Sequence, residues 1–548
     1  MMPRILQFSI HDLGPSMRLG TQAKSLLPLI ISSLLAILLI GRCIRFALAP
    51  EEYAIQGIGD DTFYYQKLAC NFLEGKGWSF DGETKTTGFH LLFAYFLALI
   101  NLVFGCGSWR AGFLITGIIA SLCIAAACFI TLRLAGRYYG RPAALATGIS
   151  FFSPVVMLQV TSLMESWMSI LFSSVAIAHV FYENSKEGPH LLKISGFAFS
   201  IGALVTLART DGLVFLATLL FSLLLPSWSR TRTIGGFCYD QKLAKSFSLL
   251  CGGISGIALV ALHNIIFTGS ASQSSAATKL YWSSIAGHSP LRIIELTTTL
   301  FSYSFSELAI IQMTQSAMAF AFTFMAIAVG YRAFQHWRYS GIKATGLGLI
   351  FSSALWLVTC IFFYSFNSQA IQPWYISQIL IPSSILAGGL WGAFFSTRSS
   401  GLILAAFILS VVQSTKHIDY APMVHQEGML RAGRYLATHY KDKKLAAWNA
   451  GIISFFSGRD VVNIDGLVNN EILRQIKSQT LARYIRKKRI DILVDYEAML
   501  TSPELRLRGG YSDGKLVNCL EKGEKLDQDS SRWADSELFV FKVKPNCL

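Results

Sequence analysis

The run from Leu26 to Leu48 is apolar along almost its whole length, and as a helix it is long enough to cross a lipid bilayer. Comparable runs recur down the chain, about eleven spanning helices in all. Of 548 residues 53% are hydrophobic and only 14% are charged. A soluble domain carries about a quarter charged residues, so one water-facing core cannot hide this much apolar surface. The expected class is a polytopic α-helical membrane protein. The formal charge of +15 raises the question of nucleic acid. Lys and Arg instead gather in short loops between apolar runs, which is the pattern of cytoplasmic loops. No basic run carries the aromatic interleaving of a nucleic-acid groove, so nucleic acid is not an expected partner.

Charge bias threads the chain through the bilayer. Arg4, Arg18 and Lys24 precede the first span and place the N-terminus in the cytoplasm. Residues 49–110 form a polar, acidic first loop that belongs outside. The apolar stretch Phe89 to Gly105 within it is short for a span. If it lies along the interface, the next span, Ala111 to Leu132, delivers Arg133, Arg137 and Arg141 to the cytoplasm. The spans Ala143–Leu158, Ser166–Tyr182, Leu191–Ala208, Gly212–Pro226, Phe247–Phe267, Leu308–Tyr331, Ala344–Tyr364, Tyr375–Phe395 and Leu402–Gln413 then alternate, with every strongly basic short loop inside. Residues 1–414 are thus a membrane domain and 415–548 a soluble exoplasmic domain. In the latter, Leu445–Trp448, Asp460–Ile464 and Ile490–Val494 read as strands and Glu471–Lys487 as a helix, which suggests a small α/β unit.

The ten cysteines show no CxxC pair and no zinc spacing. Cys43, Cys123, Cys128, Cys251 and Cys360 lie in apolar runs as small core residues. Cys519 and Cys547 sit in the polar C-terminal part, where an oxidising compartment allows them to pair.

Chemistry concentrates at the exoplasmic ends of the spans. Asp60 and Asp61 are adjacent carboxylates at a membrane surface, which suits a general base with a raised pKa. The plainer alternative is that one of them caps the helix that continues through Tyr64 and Lys67. Glu165 stands between two spans, either solvated or functional. Arg209 and Asp211 either close a turn by a salt bridge or offer an arginine to an anionic head group. Lys279 is a cation outside the cytoplasm, either solvated or bound to phosphate. Trp374 and Tyr375 open a span as an aromatic belt or a substrate wall. Together they place carboxylates, cations and aromatics on one membrane face, a site for a lipid-linked anionic substrate.

Four stretches carry a family likeness: Gly59–Tyr65 with Gly75–Trp78 and Thr87–His90; Leu163–Ser166; Leu207–Gly212; and Ala447–Gly451 with Asp460–Asn469. In these the chain resembles the GT-C superfamily of integral membrane glycosyltransferases, in the bacterial branch related to aminoarabinose transferases, protein mannosyltransferases and arabinofuranosyltransferases. The resemblance implies a cell-envelope enzyme of the bacterial cytoplasmic membrane. It implies inverting transfer of a sugar, hexosyl or pentosyl, from a polyprenyl-phosphate donor to a glycan, lipid or protein acceptor. Asp60 or Asp61 would be the base, and Glu165 would orient the acceptor or hold a divalent cation. Arg209 and Lys279 would stabilise the departing phosphate, with Tyr64, His90, Asp211, Trp374 and Tyr375 as further substrate contacts. Where the family has a proline after His90 this chain has Leu91-Leu92, which leaves the helix geometry there open. The alternative is a transporter of lipid-linked saccharides. That would place its charges at the bilayer midplane on broken helices, whereas here the spans are nearly free of charge.

Overall fold

A computed structural model describes residues 15–182, 191–224, 232–287, 344–367, 372–394, 400–527, 536–545 and 547. The span expected at Leu308–Tyr331 lies outside the described residues. Among those described, five helices are long and apolar enough to cross a membrane, and four shorter apolar helices accompany them. The chain runs through α1 (Pro15–Leu48), α2 (Glu51–Ile55), α3 (Asp60–Leu73), α4 (Leu91–Phe104) and α5 (Trp109–Tyr139). It continues through α6 (Arg141–Phe151), α7 (Pro154–Gln159), α8 (Ser166–Phe181), α9 (Leu191–Ala208), α10 (Gly212–Leu224), α11 (Arg232–Thr268) and α12 (Ser274–Ala286). After the undescribed stretch come α13 (Ala344–Asn367), a 3-10 turn at Pro373–Ile376, α14 (Ser377–Phe394) and α15 (Ser400–Lys416).

Two breaks in this series shape the site. The run expected as one span over Ala143–Leu158 is two helices. Pro154 forces Ser153 into extended backbone, with ψ 151°, so α6 stops and α7 restarts at the proline. The chain then turns through Leu163, whose φ of 42° is a left-handed conformation that a branched side chain rarely adopts. That turn sets Glu165 at the head of α8. The other break is α4. Its 14 residues rise about 21 Å, less than a hydrocarbon core of about 30 Å. It starts directly at Leu91 with His90 as its N-cap residue in extended backbone.

The C-terminal domain holds α16 (Gln426–Thr438), β1 (Leu445–Ala447), α17 (Gly451–Ser457), β2 (Val461–Asn463), α18 (Leu473–Lys477), α19 (Leu481–Lys488) and β3 (Ile492–Tyr496). It ends with α20 (Pro503–Gly509), β4 (Leu520–Lys525) and β5 (Leu538–Val543). The sheet order is β2-β1-β3-β5-β4, with β1 parallel to β2 and β3 and the β3-β5-β4 half antiparallel. The single helix expected over Glu471–Lys487 is broken between α18 and α19, where Gln479 takes φ 54°.

Polar contacts, one buried and one at the surface, join this domain to the membrane part. Arg42 of α1 is fully buried and donates to Thr161 and to the carbonyls of His417, Ile418 and Tyr420 in the linker after α15. Arg434 of α16 pairs with Glu51 at 2.5 Å and Glu52 at 2.6 Å. Disulfides join Cys70 to Cys106 in the first loop and Cys519 to Cys547 in the C-terminal domain. Cysteine pairs of this kind persist in oxidising compartments. Peptide mapping of protein purified without reductant should therefore recover both linkages. Free thiols at all four positions would put these segments in the cytoplasm.

Candidate active site

The first turn of α3 decides which carboxylate is available for chemistry. The N-cap position is Gly59, so Asp60 and Asp61 are the first two helical residues and neither side chain caps the helix. Asp60 turns toward the C-terminal domain, where its Oδ1 accepts the Ile452 N–H at 2.7 Å. Gly451 is required at that contact, because a Cβ there would stand 2.3 Å from the Asp60 carbonyl oxygen. Asp61 points the other way. Among the described residues no hydrogen bond reaches its carboxylate, and it lines two neighbouring cavities.

The larger cavity has a volume of about 630 Å³ and lies between the first loop, the membrane helices and the C-terminal domain. Its walls include Asp60, Asp61, Tyr64, Lys279 and Trp374 from the membrane part and Asn449, Asp465 and Arg508 from the C-terminal domain. The smaller, about 50 Å³, adjoins it and is lined by Asp61, His90, Glu165, Arg209, Lys279 and Tyr375, among others. Nine of the ten site residues expected from sequence therefore line one or other cavity. The tenth, Asp211, touches the smaller one through Arg209.

Two of them, Arg209 and Glu165, are already engaged by protein partners. Arg209, 3% exposed, donates to Glu165 Oε1 at 2.5 Å and forms a double contact with Asp211, at 2.7 and 3.1 Å. Asp211 is held in turn by the Tyr364 hydroxyl at 2.7 Å and the Gln378 amide at 3.2 Å. Two carboxylates thus already offset the Arg209 charge, and Arg209 is the core of a buried network more than a free phosphate ligand. Glu165, 1% exposed, also takes His90 Nε2 at 3.4 Å and the Tyr65 hydroxyl at 3.2 Å. Both its oxygens are engaged by protein donors, a set that suits a fixed hub and does not suit a cation ligand. Among the described residues no group of three or more His, Cys, Asp or Glu side chains is placed to hold a metal ion.

Tyr64 also has a structural duty. Its hydroxyl donates to the Trp448 carbonyl at 3.1 Å and accepts the Ala450 N–H at 2.9 Å, locking α3 to the turn after β1. Tyr375 stacks parallel to Tyr364 at 5.1 Å, and both Lys279 and the Arg209 guanidinium lie over its ring at 5.4 Å. His90 Nδ1 is buried without a partner beside the smaller cavity.

Enclosure between the domains tunes these groups. Burial pushes the Asp60 carboxyl up to about 7, with the Ile452 N–H opposing the rise and Asp61 adding to it. Burial also raises Asp61, opposed by Lys279 and reinforced by Glu165. The His90 imidazole is held below its ordinary value, chiefly by burial, which keeps it neutral.

Asp465 has no site role in the sequence reading, although it stands in the Asp460–Asn469 likeness stretch, and Arg508 is not singled out there. Asp465 lies in Asn463-Ile464-Asp465-Gly466, after β2, and burial pushes it up to about 7 against the Leu467 N–H and Asn463. Its loop is bolted to the membrane part. Thr278 donates to the Gly466 carbonyl at 2.9 Å, Ser274 to the Leu467 carbonyl at 2.9 Å, and the Thr87 N–H to the Asn470 side chain at 2.9 Å. Gly88 packs so closely that a Cβ would lie 1.8 Å from the Leu467 oxygen. Gly88→Ala should therefore push the Asp465 loop off the first loop, at a cost of about 1–3 kcal/mol. Faster proteolysis at the domain junction would register it, and a wild-type cleavage rate would contradict this packing.

Residues 417–536 match a family described as a domain of unknown function, DUF8728. Among curated proteins none matches the chain in sequence. Solved structures do match in fold. ArnT from Cupriavidus metallidurans bound to undecaprenyl phosphate superposes with a TM-score of 0.55 at 12% identity, covering 94% of this chain and 98% of its own. The archaeal oligosaccharyltransferase AglB from Archaeoglobus fulgidus, in complex with an inhibitory peptide and a dolichol-phosphate, gives 0.50 at 11% identity, with 93% and 75% covered. These similarities span both the membrane helices and the C-terminal domain, and they show that this chain shares the fold of these two proteins.

Proposed function

We propose that this protein transfers a sugar from a polyprenyl-phosphate donor to an acceptor hydroxyl, with Asp61 as the general base. One observation carries the reading: the Asp61 carboxylate is open where two cavities meet, while its neighbour Asp60 is bound to the C-terminal domain. The structural neighbours, solved with undecaprenyl phosphate and with dolichol-phosphate, support a lipid-phosphate donor. In the step envisaged, the acceptor hydroxyl gives its proton to Asp61 as its oxygen attacks the anomeric carbon. The bond from that carbon to the lipid phosphate oxygen breaks on the opposite face. The products are a glycoside of inverted configuration and the free lipid phosphate. Lys279 would meet the charge growing on the phosphate. The Glu165–Arg209–Asp211 network holds that corner rigid.

The two disulfides support an exoplasmic location for the first loop and the C-terminal domain. With the cytoplasmic N-terminus read from charge bias, they support a reaction on the outer face of a bacterial cytoplasmic membrane. The ionisable cluster sits at helix ends rather than at mid-span, which favours an enzyme over a transporter. The test is release of polyprenyl phosphate from polyprenyl-phosphate sugars by the reconstituted full chain. Release that depends on Asp61 is expected. Transbilayer movement of the lipid-linked sugar without release would mean a transporter.

A further inference from the structure

The proposed reaction leaves one cation of the larger cavity without a task. Arg209 is closed by Glu165 and Asp211, and Lys279 faces Asp61. Arg508, from α20, lines the same cavity with its guanidinium over the Trp282 ring at 3.7 Å. Among the described residues it has no ion pair. Asp465 shares the cavity wall, but its Oδ1 is turned to the Leu467 N–H at 2.7 Å. An arginine stacked on an aromatic face is fixed in place while its in-plane N–H groups remain free for an oxyanion. Trp282 follows Lys279 by three positions on α12. The two residues therefore share one face of that helix, their backbones about 4.5 Å apart along its axis.

We propose that Arg508, seated on Trp282, is a second anion subsite of this cavity, for a phosphoryl group beyond the one at Lys279. The assignment rests on reading the cavity as a glycosyl-transfer site and narrows its substrates. The phosphoryl group is either the outer phosphate of a lipid diphosphate donor or a phosphate on the acceptor saccharide. Both present tetrahedral oxyanions that the guanidinium fork fits.

Binding to the purified full chain, which needs no turnover, separates this from the catalytic reading. The probes are polyprenyl monophosphate against polyprenyl diphosphate, and glucose against glucose 6-phosphate. The wild type should prefer the extra phosphate in one pair by about tenfold or more, as expected for a hydrogen-bonded charge. Preference within the lipid pair assigns the donor, and preference within the sugar pair assigns the acceptor. Arg508→Gln should erase that preference, Arg508→Lys should keep part of it, and Lys487→Gln on the surface should leave it intact. Trp282→Leu, which removes the seat but not the charge, should weaken it and serves if Arg508→Gln does not fold. No preference in the wild type, or one that survives Arg508→Gln, overturns the subsite. If the wild type releases no polyprenyl phosphate while Arg508 controls binding, the transfer reading fails and the subsite stands; if Asp61→Asn still transfers sugar, only the assignment of Asp61 as base fails.

Discussion

Asp61→Asn should lower sugar transfer by about a hundred- to ten-thousandfold, the usual worth of a positioned general base, in a protein that still inserts and folds. Asn matches Asp in size and removes only the basic oxygen. No protein donor holds the Asp61 carboxylate among the described residues, so the change breaks no structural bond. Asp60→Asn is the internal contrast. Its Oδ1 accepts the Ile452 N–H at 2.7 Å, and an amide oxygen can accept the same bond. The loss there should be limited to about the 0.5–1.5 kcal/mol of one hydrogen bond. A pH profile adds a second readout. Burial raises the Asp61 pKa, and a base works only when ionised. Activity should therefore be present at higher pH and fall, as pH drops, at a point above the usual carboxylate range of about 4. That acid limb should vanish in the residual activity of Asp61→Asn. If Asp60→Asn is dead and Asp61→Asn runs at the wild-type rate, the two carboxylates have exchanged roles.

Much of this site was legible before any coordinates, for a physical reason. Charges are costly in lipid, so the rare ionisable residues at the ends of apolar runs stand out, and charge bias sorts those ends by side. That logic picked Asp61, Glu165, Arg209 and Lys279 from four separate segments, and the fold brings them to adjoining cavities. It weighed the Arg209–Asp211 salt bridge but did not foresee that Glu165 also closes on Arg209. The Arg209–Asp211 turn is local and readable, whereas the Glu165 contact joins residues 44 positions apart with no shared period.

The C-terminal domain was read less well. The core strands β1, β2 and β3 are short, fully buried and mostly apolar, and these were found. β4 reads Leu-Glu-Lys-Gly-Glu-Lys and is an exposed edge strand with no apolar face to announce it. Cys70 lies in a helix and Cys106 beyond the next one, a spacing that carries no disulfide signature. Asp465 and Arg508 were overlooked because in a soluble domain charged side chains are ordinary. Only docking onto α12 turns them into cavity wall.

Glu165→Ala should be the most destabilising single change at the site, costing about 3–5 kcal/mol, the toll of breaking a buried ion pair by removing one partner. Glu165 is 1% exposed and carries Arg209, His90 and the Tyr65 hydroxyl on two oxygens. Its loss leaves the Arg209 Nη1 group and the tyrosine hydroxyl buried without that acceptor. Glu165→Gln keeps one oxygen and the shape of the side chain, so its cost should be clearly smaller. Arg209 would still be held by Asp211 at 2.7 and 3.1 Å, which is why the network should weaken without the helices parting. The pair can be tested as a coupled unit. Thermal melts in one detergent should show the Glu165→Ala/Arg209→Ala double variant losing less than the sum of the two single changes, by about 0.5–3 kcal/mol. Additive losses would mean that the two residues act separately. A Glu165→Ala protein as stable as the wild type would remove Glu165 as the hub that holds α8 to the turn between α9 and α10.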